Sequence, residues 1–159
     1  MRDNKQKGFS LIELLIVVAI ILIIAAIAIP NLLRSKMAAN EASAVSSLRT
    51  LNTSIVAYST TYNTDPPTLT ALGAPGSGSP SSTAADLVDS LLGADPASKS
   101  GYTISYSAGS ANPTVTTYTM TAVPQSTSTG QRYFFTDQSG VIRQTTDGTP
   151  ATASSTPIG

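Results

Sequence analysis

One long, largely apolar stretch constrains the fold of this chain more than any other feature. The segment from Phe9 to Ile29 spans 21 residues, and its only charged side chain is that of Glu13. At about 1.5 Å per residue, a helix of this length crosses the ~30 Å hydrocarbon core of a membrane. The sequence therefore predicts a membrane-spanning helix near the N-terminus, over residues 9–30.

A secretory signal peptide is the alternative interpretation of this stretch. Such a peptide has an apolar core of about 7–15 residues, followed by small residues at a cleavage site. Here the apolar run is longer, and it continues into NLLRSKMAANEASAV (31–45), which keeps a helical pattern. Basic residues lie on both sides of the span, so the positive-inside rule gives little guidance on orientation; they are Lys5 and Lys7 before it and Arg34 and Lys36 after it.

Glu13 distinguishes a simple anchor from a more specialised helix. An ionised carboxylate at membrane depth costs about 2.5–3.5 kcal/mol on insertion scales, so we expect an anchor without further function to lack one. Intramembrane acids usually have a partner, yet no Lys, Arg or His lies between Phe9 and Pro30. Cleavage of the chain after Gly8 would supply one positive charge, the new α-amine of Phe9.

The segment KGFSLIELLIVVAIILIIAAIAIP (7–30) resembles the N-terminus of type IV pilins and of the pseudopilins of type II secretion. The resemblance rests on a short basic leader that ends in Gly8, on Phe9, and on Glu13 at the fifth position of the cut chain. An unbroken apolar helix up to Pro30 completes it. The resemblance covers roughly the first third of the chain, and the remainder agrees only in architecture.

The resemblance implies a processing and assembly pathway. A prepilin peptidase would remove the leader, residues 1–8, by cutting after Gly8, and would N-methylate Phe9. The precursor would reside in the bacterial inner membrane, where residues 9–30 contact lipid. An inner-membrane assembly platform would then extract it into a homopolymer held by the N-terminal helices, either a cell-surface filament or a periplasmic pseudopilus. Glu13 would pair with the Phe9 amine of a neighbouring subunit.

The helix is expected to continue beyond the span, over residues 31–62. Pro30 lacks an N–H, so a kink or a local loosening is expected there. Farther along, apolar residues recur at three- and four-residue steps, interrupted by Glu41, and predict the side on which a sheet packs; they are Leu33, Met37, Ala44, Leu48, Leu51, Ile55, Tyr58 and Tyr62. The clean heptads are too few for a coiled coil. The motif Asp65-Pro66-Pro67 predicts the end of the helix.

Residues 63–159 are predicted to form a globular head. Its first part is expected to contain a short helical turn at 68–73, a loop at 75–82 and a second short helix from Thr83 to Leu92. In that second helix Thr83 would be the N-cap, Asp86 would lie in the first turn and Gly93 would mark the end. Two carboxylates on this helix, those of Asp86 and Asp89, are interpreted as a solvated face.

The second part of the head is predicted to form a sheet. Residues 101–109 and 115–124 alternate between apolar and polar side chains with a period of two, which is typical of strands with one buried face. Residues 131–146 predict two further strands around a turn at 137–140. The expected fold is thus α+β, with the long helix packed on an antiparallel sheet of three or four strands. Residues 147–159 are expected to be a loose tail.

The composition excludes several kinds of chemistry. The chain has no Cys and no His, which removes disulfides, the commonest general base and the commonest metal ligand. No other catalytic set stands out, so the chain is predicted not to be an enzyme and to need no cofactor. Lys and Arg together number nine, as do Asp and Glu, so no net field favours nucleic acid as a partner.

Calcium is the one ion that the sequence brings into consideration. Asp137 with Ser139, and Asp147 with Gly148, could supply oxygen ligands, and the major pseudopilins that the N-terminus resembles bind calcium in their C-terminal loop. The carboxylates here are few and lack the spacing of a calcium loop, so turn roles for Asp137 and Asp147 are favoured.

Three functions remain open from the sequence. The leading hypothesis is a structural subunit of a type IV pilus that serves adhesion, twitching motility or DNA uptake. The nearest alternative is a major pseudopilin of a type II secretion system. The third, from a different class, is a monomeric membrane-tethered binding module. Glu13 favours the first two over the third, because a tether has no need of an intramembrane carboxylate.

Overall fold

The structure is a computed structural model that describes residues 9–109 and 114–158. The chain divides into two compact units at Ser35 and Lys36, and one helix, α1, contributes residues to both. The second unit begins at Lys36, and from here on we call it the head; it includes the second part of α1 as well as all the β-strands described below. Gly8, the residue expected to end the leader, lies outside the described residues.

Helix α1 extends from Leu11 to Tyr62 without interruption and includes Pro30. Two polar side chains after the proline donate hydrogen bonds to main-chain carbonyl oxygens one turn earlier in the helix. Asn31 Nδ2 donates to the carbonyl oxygen of Ile27 at 3.1 Å, and Ser35 Oγ donates to that of Asn31 at 3.0 Å. Such side-chain bonds to carbonyls one turn earlier often accompany a bend in a helix. A kink at Pro30 stays a prediction.

The end of α1 is set by its backbone. Asn63 adopts a left-handed conformation with φ of 56°, and its N–H donates to the carbonyl oxygen of Ser59 at 2.9 Å. Asparagine tolerates this conformation better than most residues, and a left-handed residue commonly closes a helix. Pro66 and Pro67 then prevent the helix from resuming. The expected end of the helix near Tyr62 is confirmed.

The sheet of the head has six antiparallel strands, each paired with the next in the sequence. Four of them match the strands expected from the sequence, and two short strands were missed because three and two residues are too few to show an alternating pattern. The strands are β1 (Ala97–Lys99), β2 (Tyr102–Ala108), β3 (Tyr118–Pro124), β4 (Tyr133–Asp137), β5 (Arg143–Thr145) and β6 (Thr156–Pro157).

The expectation of a loose tail is wrong for residues 151–158. Strand β6 pairs with β5, with Arg143 opposite Pro157, and the N–H of Ile158 donates to the carbonyl oxygen of Ile142 at 2.9 Å. Ala151 is buried. The tail is held by main-chain hydrogen bonds, which its polar composition does not reveal.

The expectation of a second helix over Thr83–Leu92 is also wrong. Asp86 has a φ of 56°, which a helix cannot accommodate. Main-chain bonds hold this segment on the neighbouring 3₁₀ helix, Leu69–Leu72, which confirms the helical turn expected at 68–73. The N–H of Leu87 donates to the carbonyl oxygen of Leu72 at 2.8 Å, and that of Asp86 to Gly73 at 2.9 Å.

The hydrophobic core of the head lies between α1 and one face of the sheet. Five residues of the expected helical stripe are buried, Tyr62 and Met37 are partly covered, and Leu33 is exposed. The alternation expected in β2 and β3 is confirmed, since the side chains predicted to face inward are buried or partly covered. The principal core residues are Leu48, Leu51, Ile55, Tyr58, Tyr102, Ile104, Met120 and Phe134.

Candidate functional site: the N-terminal helix

The first half of α1 has an apolar surface that is exposed in the part of the chain that the structure describes. We call residues 9–29 the apolar segment. Its large apolar side chains are between 45% (Val18) and 83% (Phe9) exposed. An 18-residue window of α1 has a mean hydropathy of 3.3 with no residue buried, so the helix is long and apolar enough to cross a membrane. A surface of this size needs lipid or other apolar helices around it.

Glu13 caps the beginning of α1. Its Oε2 accepts a hydrogen bond from the N–H of Ser10 at 2.9 Å. Ser10 directly precedes the helix, so Glu13 is the third helical residue and satisfies an N–H that has no partner within the helix. This is half of the reciprocal arrangement known as a capping box, whose sequence signature, Ser-x-x-Glu, is present at residues 10–13.

This contact corrects one step of the sequence argument. An anchor without further function was expected to lack an intramembrane carboxylate, yet the helix itself has a local use for Glu13. The presence of the residue therefore does not separate a tether from a filament subunit. The negative charge of Glu13 is the property that distinguishes a filament subunit from a tether, because a neutral Gln can make the same capping bond.

The carboxylate of Glu13 keeps capacity for a second partner. Only Oε2 takes part in a hydrogen bond among the described residues, and a carboxylate accepts about four. Pairing with an amine from another chain is thus compatible with the capping bond. Cleavage after Gly8, methylation of Phe9 and the pairing of Glu13 stay predictions.

Asp137 and Asp147, the two calcium candidates, form turns. Asp137 Oδ1 accepts bonds from the N–H and the hydroxyl of Ser139, at 2.9 and 2.5 Å. Asp147 Oδ1 accepts the same pair from Thr149, at 3.0 and 2.6 Å, and these bonds lower the pKa of Asp147. Within residues 9–109 and 114–158, no cluster of three acidic side chains could hold a metal. Calcium binding remains the less favoured hypothesis.

Glu41 has a structural role that the sequence indicated only as a charge within an apolar stripe. It is 8% exposed, and its Oε1 accepts the N–H groups of Gln131 and Arg132 at 2.9 and 3.2 Å. Its Oε2 lies 2.7 Å from Nε of Arg132. Burial raises the pKa of Glu41, but these hydrogen bonds outweigh burial and hold the pKa below its usual value. The contacts attach the loop between β3 and β4 to α1.

The long apolar helix and the antiparallel sheet define the α+β architecture of a pilin. The family model described as the prokaryotic N-terminal methylation motif matches residues 3–29, a range that contains Gly8, Phe9 and Glu13. The N-terminal part of the chain is thus similar to that of type IV pilins and of type II secretion pseudopilins.

Three relatives illustrate the extent of the match. The type IV wide pilus major component PilA4 of Thermus thermophilus is 60% identical over 38 residues, 24% of this chain and 29% of that protein. The type II secretion system core protein G of Aeromonas hydrophila is 34% identical over 74 residues, 46% of this chain and 52% of that protein. The type IV major pilin protein PilA of Myxococcus xanthus is 48% identical over 51 residues, 32% of this chain and 23% of that protein.

The matched stretches span between about a quarter and a half of the length of these relatives. No solved structure matches the chain significantly. The similarity to pilins and pseudopilins therefore rests on the N-terminal part of the chain.

Proposed function

We propose that the chain is the repeating subunit of a type IV pilus, a filament that serves adhesion, twitching motility or DNA uptake. The observation that carries the proposal is the apolar segment, which is exposed on every side in a single copy and bears one charge, Glu13. Removal of residues 1–8 by a prepilin peptidase, with methylation of Phe9, prepares the subunit for assembly.

The apolar segment serves two successive environments. In the precursor it lies in the lipid of the inner membrane, which covers its side chains. During assembly an inner-membrane platform withdraws it, and other copies of the same helix then cover the same side chains. Burial among helices replaces burial in lipid, so the apolar surface alone gives little preference for either environment. A polar contact that exists only in the filament can therefore decide the balance.

Glu13 supplies that contact by pairing with the Phe9 amine of an adjacent subunit. Two opposite charges in a medium of low dielectric attract strongly, although their desolvation offsets much of the gain. The main effect of the pair is on register, because a helix shifted along its neighbour would leave both charges unpaired. An unpaired buried charge is strongly destabilising.

A major pseudopilin of a type II secretion system is the second candidate. The match to core protein G of Aeromonas hydrophila extends over 74 residues of this chain, compared with 38 for the match to PilA4 of Thermus thermophilus. The two candidates share the N-terminal processing and differ in where the assembly ends, on the cell surface or in the periplasm.

Shearing of intact cells separates the two functions. Filaments released from the wild-type surface, labelled by antibody to the head in electron microscopy, are expected for a type IV pilus. The N-terminal peptide of the released protein should begin at a methylated Phe9 by mass spectrometry. Processed protein confined to the cell envelope, with no surface filament, would instead support the pseudopilin, and an uncut Met1 would contradict both.

A further inference from the structure

The half of α1 within the head has an exposed face opposite the core. We call this the outer face, and its residues recur at three- and four-residue steps along the helix: Ala42, Ser46, Arg49, Thr53, Val56 and Thr60. All of them are exposed, and Val56 is 62% exposed despite its apolar side chain. The face lies on the same helix as the core residues, and its side chains are exposed where those of the core residues are buried.

The outer face has too little charge for a surface that stays in water. Arg49 is the only charged residue between positions 42 and 64, whereas the solvent side of an amphipathic helix is normally rich in charged residues. This composition is closer to that of a face that another protein surface covers.

Two of the three hydroxyl groups of the outer face already donate to main-chain carbonyl oxygens of the helix. Thr53 Oγ1 donates to the carbonyl oxygen of Arg49 at 3.0 Å, and Thr60 Oγ1 donates to that of Val56 at 2.8 Å. These donors lose nothing when water is removed, because their bonds do not involve water. A partner can therefore cover this face at a low desolvation cost, provided that it supplies a carboxylate for Arg49.

A second surface of the head has the complementary properties. The patch formed by residues 86–91 exposes two leucines, Leu87 at 37% and Leu91 at 55%, together with Asp86 and Asp89. Main-chain bonds to residues 72 and 73 hold the patch, so it is presented by an ordered backbone. It thus combines apolar side chains with negative charge, as a partner for the outer face requires.

Asp86 is the carboxylate of this patch that is available for pairing. Oδ1 of Asp89 accepts bonds from the N–H groups of Leu91 and Leu92, at 3.1 and 2.8 Å, and so closes a turn of its own segment. The side chain of Asp86 makes no hydrogen bond in the part of the chain that the structure describes. The single salt bridge found among those residues joins Glu41 to Arg132, so neither Arg49 nor Asp86 has a salt-bridge partner in the described ranges.

We propose that the outer face of one copy binds the patch at residues 86–91 of a second copy, with Arg49 paired to the second copy's Asp86. Val56 then packs against the second copy's Leu87 and Leu91. The two surfaces differ, so each copy uses one of them towards one neighbour and the other towards the next. A contact of this kind extends into a helical filament when it does not close into a ring. The inference rests on the proposed function, and it assigns an interface to the head.

Charge reversal tests the ion pair directly. Arg49→Glu alone and Asp86→Lys alone should each reduce sheared surface filament at least about fivefold relative to processed membrane protein, because a like-charge pair replaces an attractive one. The double variant, Arg49→Glu with Asp86→Lys, should recover most of the wild-type yield. Lys99→Glu is the matched control, with the same change of charge elsewhere on the head, and should leave the yield unchanged.

Cross-linking provides a second readout that does not depend on yield. The chain contains no Cys, so a variant with Arg49→Cys and Asp86→Cys carries only these two thiols. Oxidation of its filaments should produce a ladder of covalent oligomers on a non-reducing gel, whereas each single variant should stop at the dimer or remain monomeric. Arg49→Cys combined with Lys99→Cys is the control pair and should give no ladder.

The outcomes separate this inference from the proposed function. Normal filament yield from Arg49→Glu and Asp86→Lys, absence of rescue in the double variant, or absence of the ladder would overturn the interface while leaving the pilus subunit intact. Cross-linking of Arg49→Cys to a different protein would overturn it as well. If the wild-type chain forms no filament, the proposed function fails, and the interface fails with it.

Discussion

The two glutamates of the chain show how differently one helix treats a carboxylate. Glu41 lies in the head, where the chain itself provides an arginine and two N–H groups. Glu13 lies in the apolar segment, where the only described partner is the N–H of Ser10. The first carboxylate is satisfied within one copy, whereas the second has no charged partner among the residues that the structure describes. We therefore expect Glu41 to act in folding and Glu13 in assembly.

The apolar side chains of the head and of the apolar segment differ in the same way as the two glutamates. Leu48, Leu51 and Ile55 are covered by the sheet of the same copy, whereas Leu15, Leu22 and Ile27 are exposed. Apolar residues in both regions lose contact with water, but only those of the head do so when a single chain folds. Substitutions in the two regions should therefore affect different measurements.

The largest expected effect concerns these leucines. Leu48→Ala should lower the free energy of unfolding of the head by about 2–5 kcal/mol, because it removes a fully buried side chain and leaves a cavity. Leu22→Ala, the matched substitution in the apolar segment, should leave that free energy unchanged. Denaturant unfolding of the full-length chain in detergent, followed by tyrosine fluorescence, measures both. Equal destabilisation by the two variants would refute the division between the regions.

A smaller effect is expected at Glu41. Glu41→Ala leaves the N–H groups of Gln131 and Arg132 without their acceptor and should cost about 1–3 kcal/mol. Since the guanidinium of Arg132 is partly exposed, Arg132→Ala should cost less than Glu41→Ala. Denaturant unfolding at neutral pH compares the two, and the reverse order would mean that the ion pair outweighs the backbone contacts.

The stability contributed by Glu41 should depend on pH. Its pKa in the folded chain is below the reference value of 4.5, so the ionised form is favoured by folding. The contribution is fully present above the unfolded pKa and is lost as the pH falls through the folded pKa. The difference in stability between wild type and Glu41→Gln should accordingly be constant at neutral pH and shrink in acid. A difference that grows in acid would contradict the stabilising role of the ionised Glu41 carboxylate.

The smallest expected effect concerns Asp65, whose pKa shifts in the opposite direction to that of Glu41. Burial raises the pKa of Asp65, so its ionised form is disfavoured in the folded chain. The stability that its neutral form contributes is present below the unfolded pKa and lost as the pH rises through the folded pKa. Asp65→Asn should thus stabilise the head at pH 7 by about 0.5 kcal/mol or less. Thermal melts at acid and neutral pH test this, and a loss of stability at pH 7 would contradict it.

Prediction from the sequence succeeded where a pattern repeats. The apolar stretch of 21 residues from Phe9 to Ile29, the stripe along α1 and the alternation in β2 and β3 each contain enough repeats to define a helix or a strand. These features are sufficient for the α+β fold and for the choice of the N-terminal helix as the candidate site.

The failures occurred where main-chain bonds between distant segments decide the structure. Residues 83–92 have a helical composition, but the N–H groups of residues 85–88 bond to the carbonyl oxygens of residues 71–73. Strands β1 and β6 form because a neighbouring strand offers a free edge, which no local pattern shows. The capping role of Glu13 was different, since its signature at Ser10 and Glu13 was visible in the sequence.

The central claim is that the charge of Glu13, beyond its capping bond, drives assembly. Glu13→Gln tests it most directly, because glutamine keeps the hydrogen bond to Ser10 and loses the charge. Glu13→Asp keeps the charge on a shorter side chain, and Glu13→Ala removes both properties. The measurement is the amount of sheared surface filament relative to processed membrane protein for the wild type and the three variants. We expect Gln and Ala to be similarly deficient, with insertion and cleavage intact, and Asp to be milder. Wild-type yield from Glu13→Gln would show that capping alone explains the residue and would contradict the role of its charge in assembly.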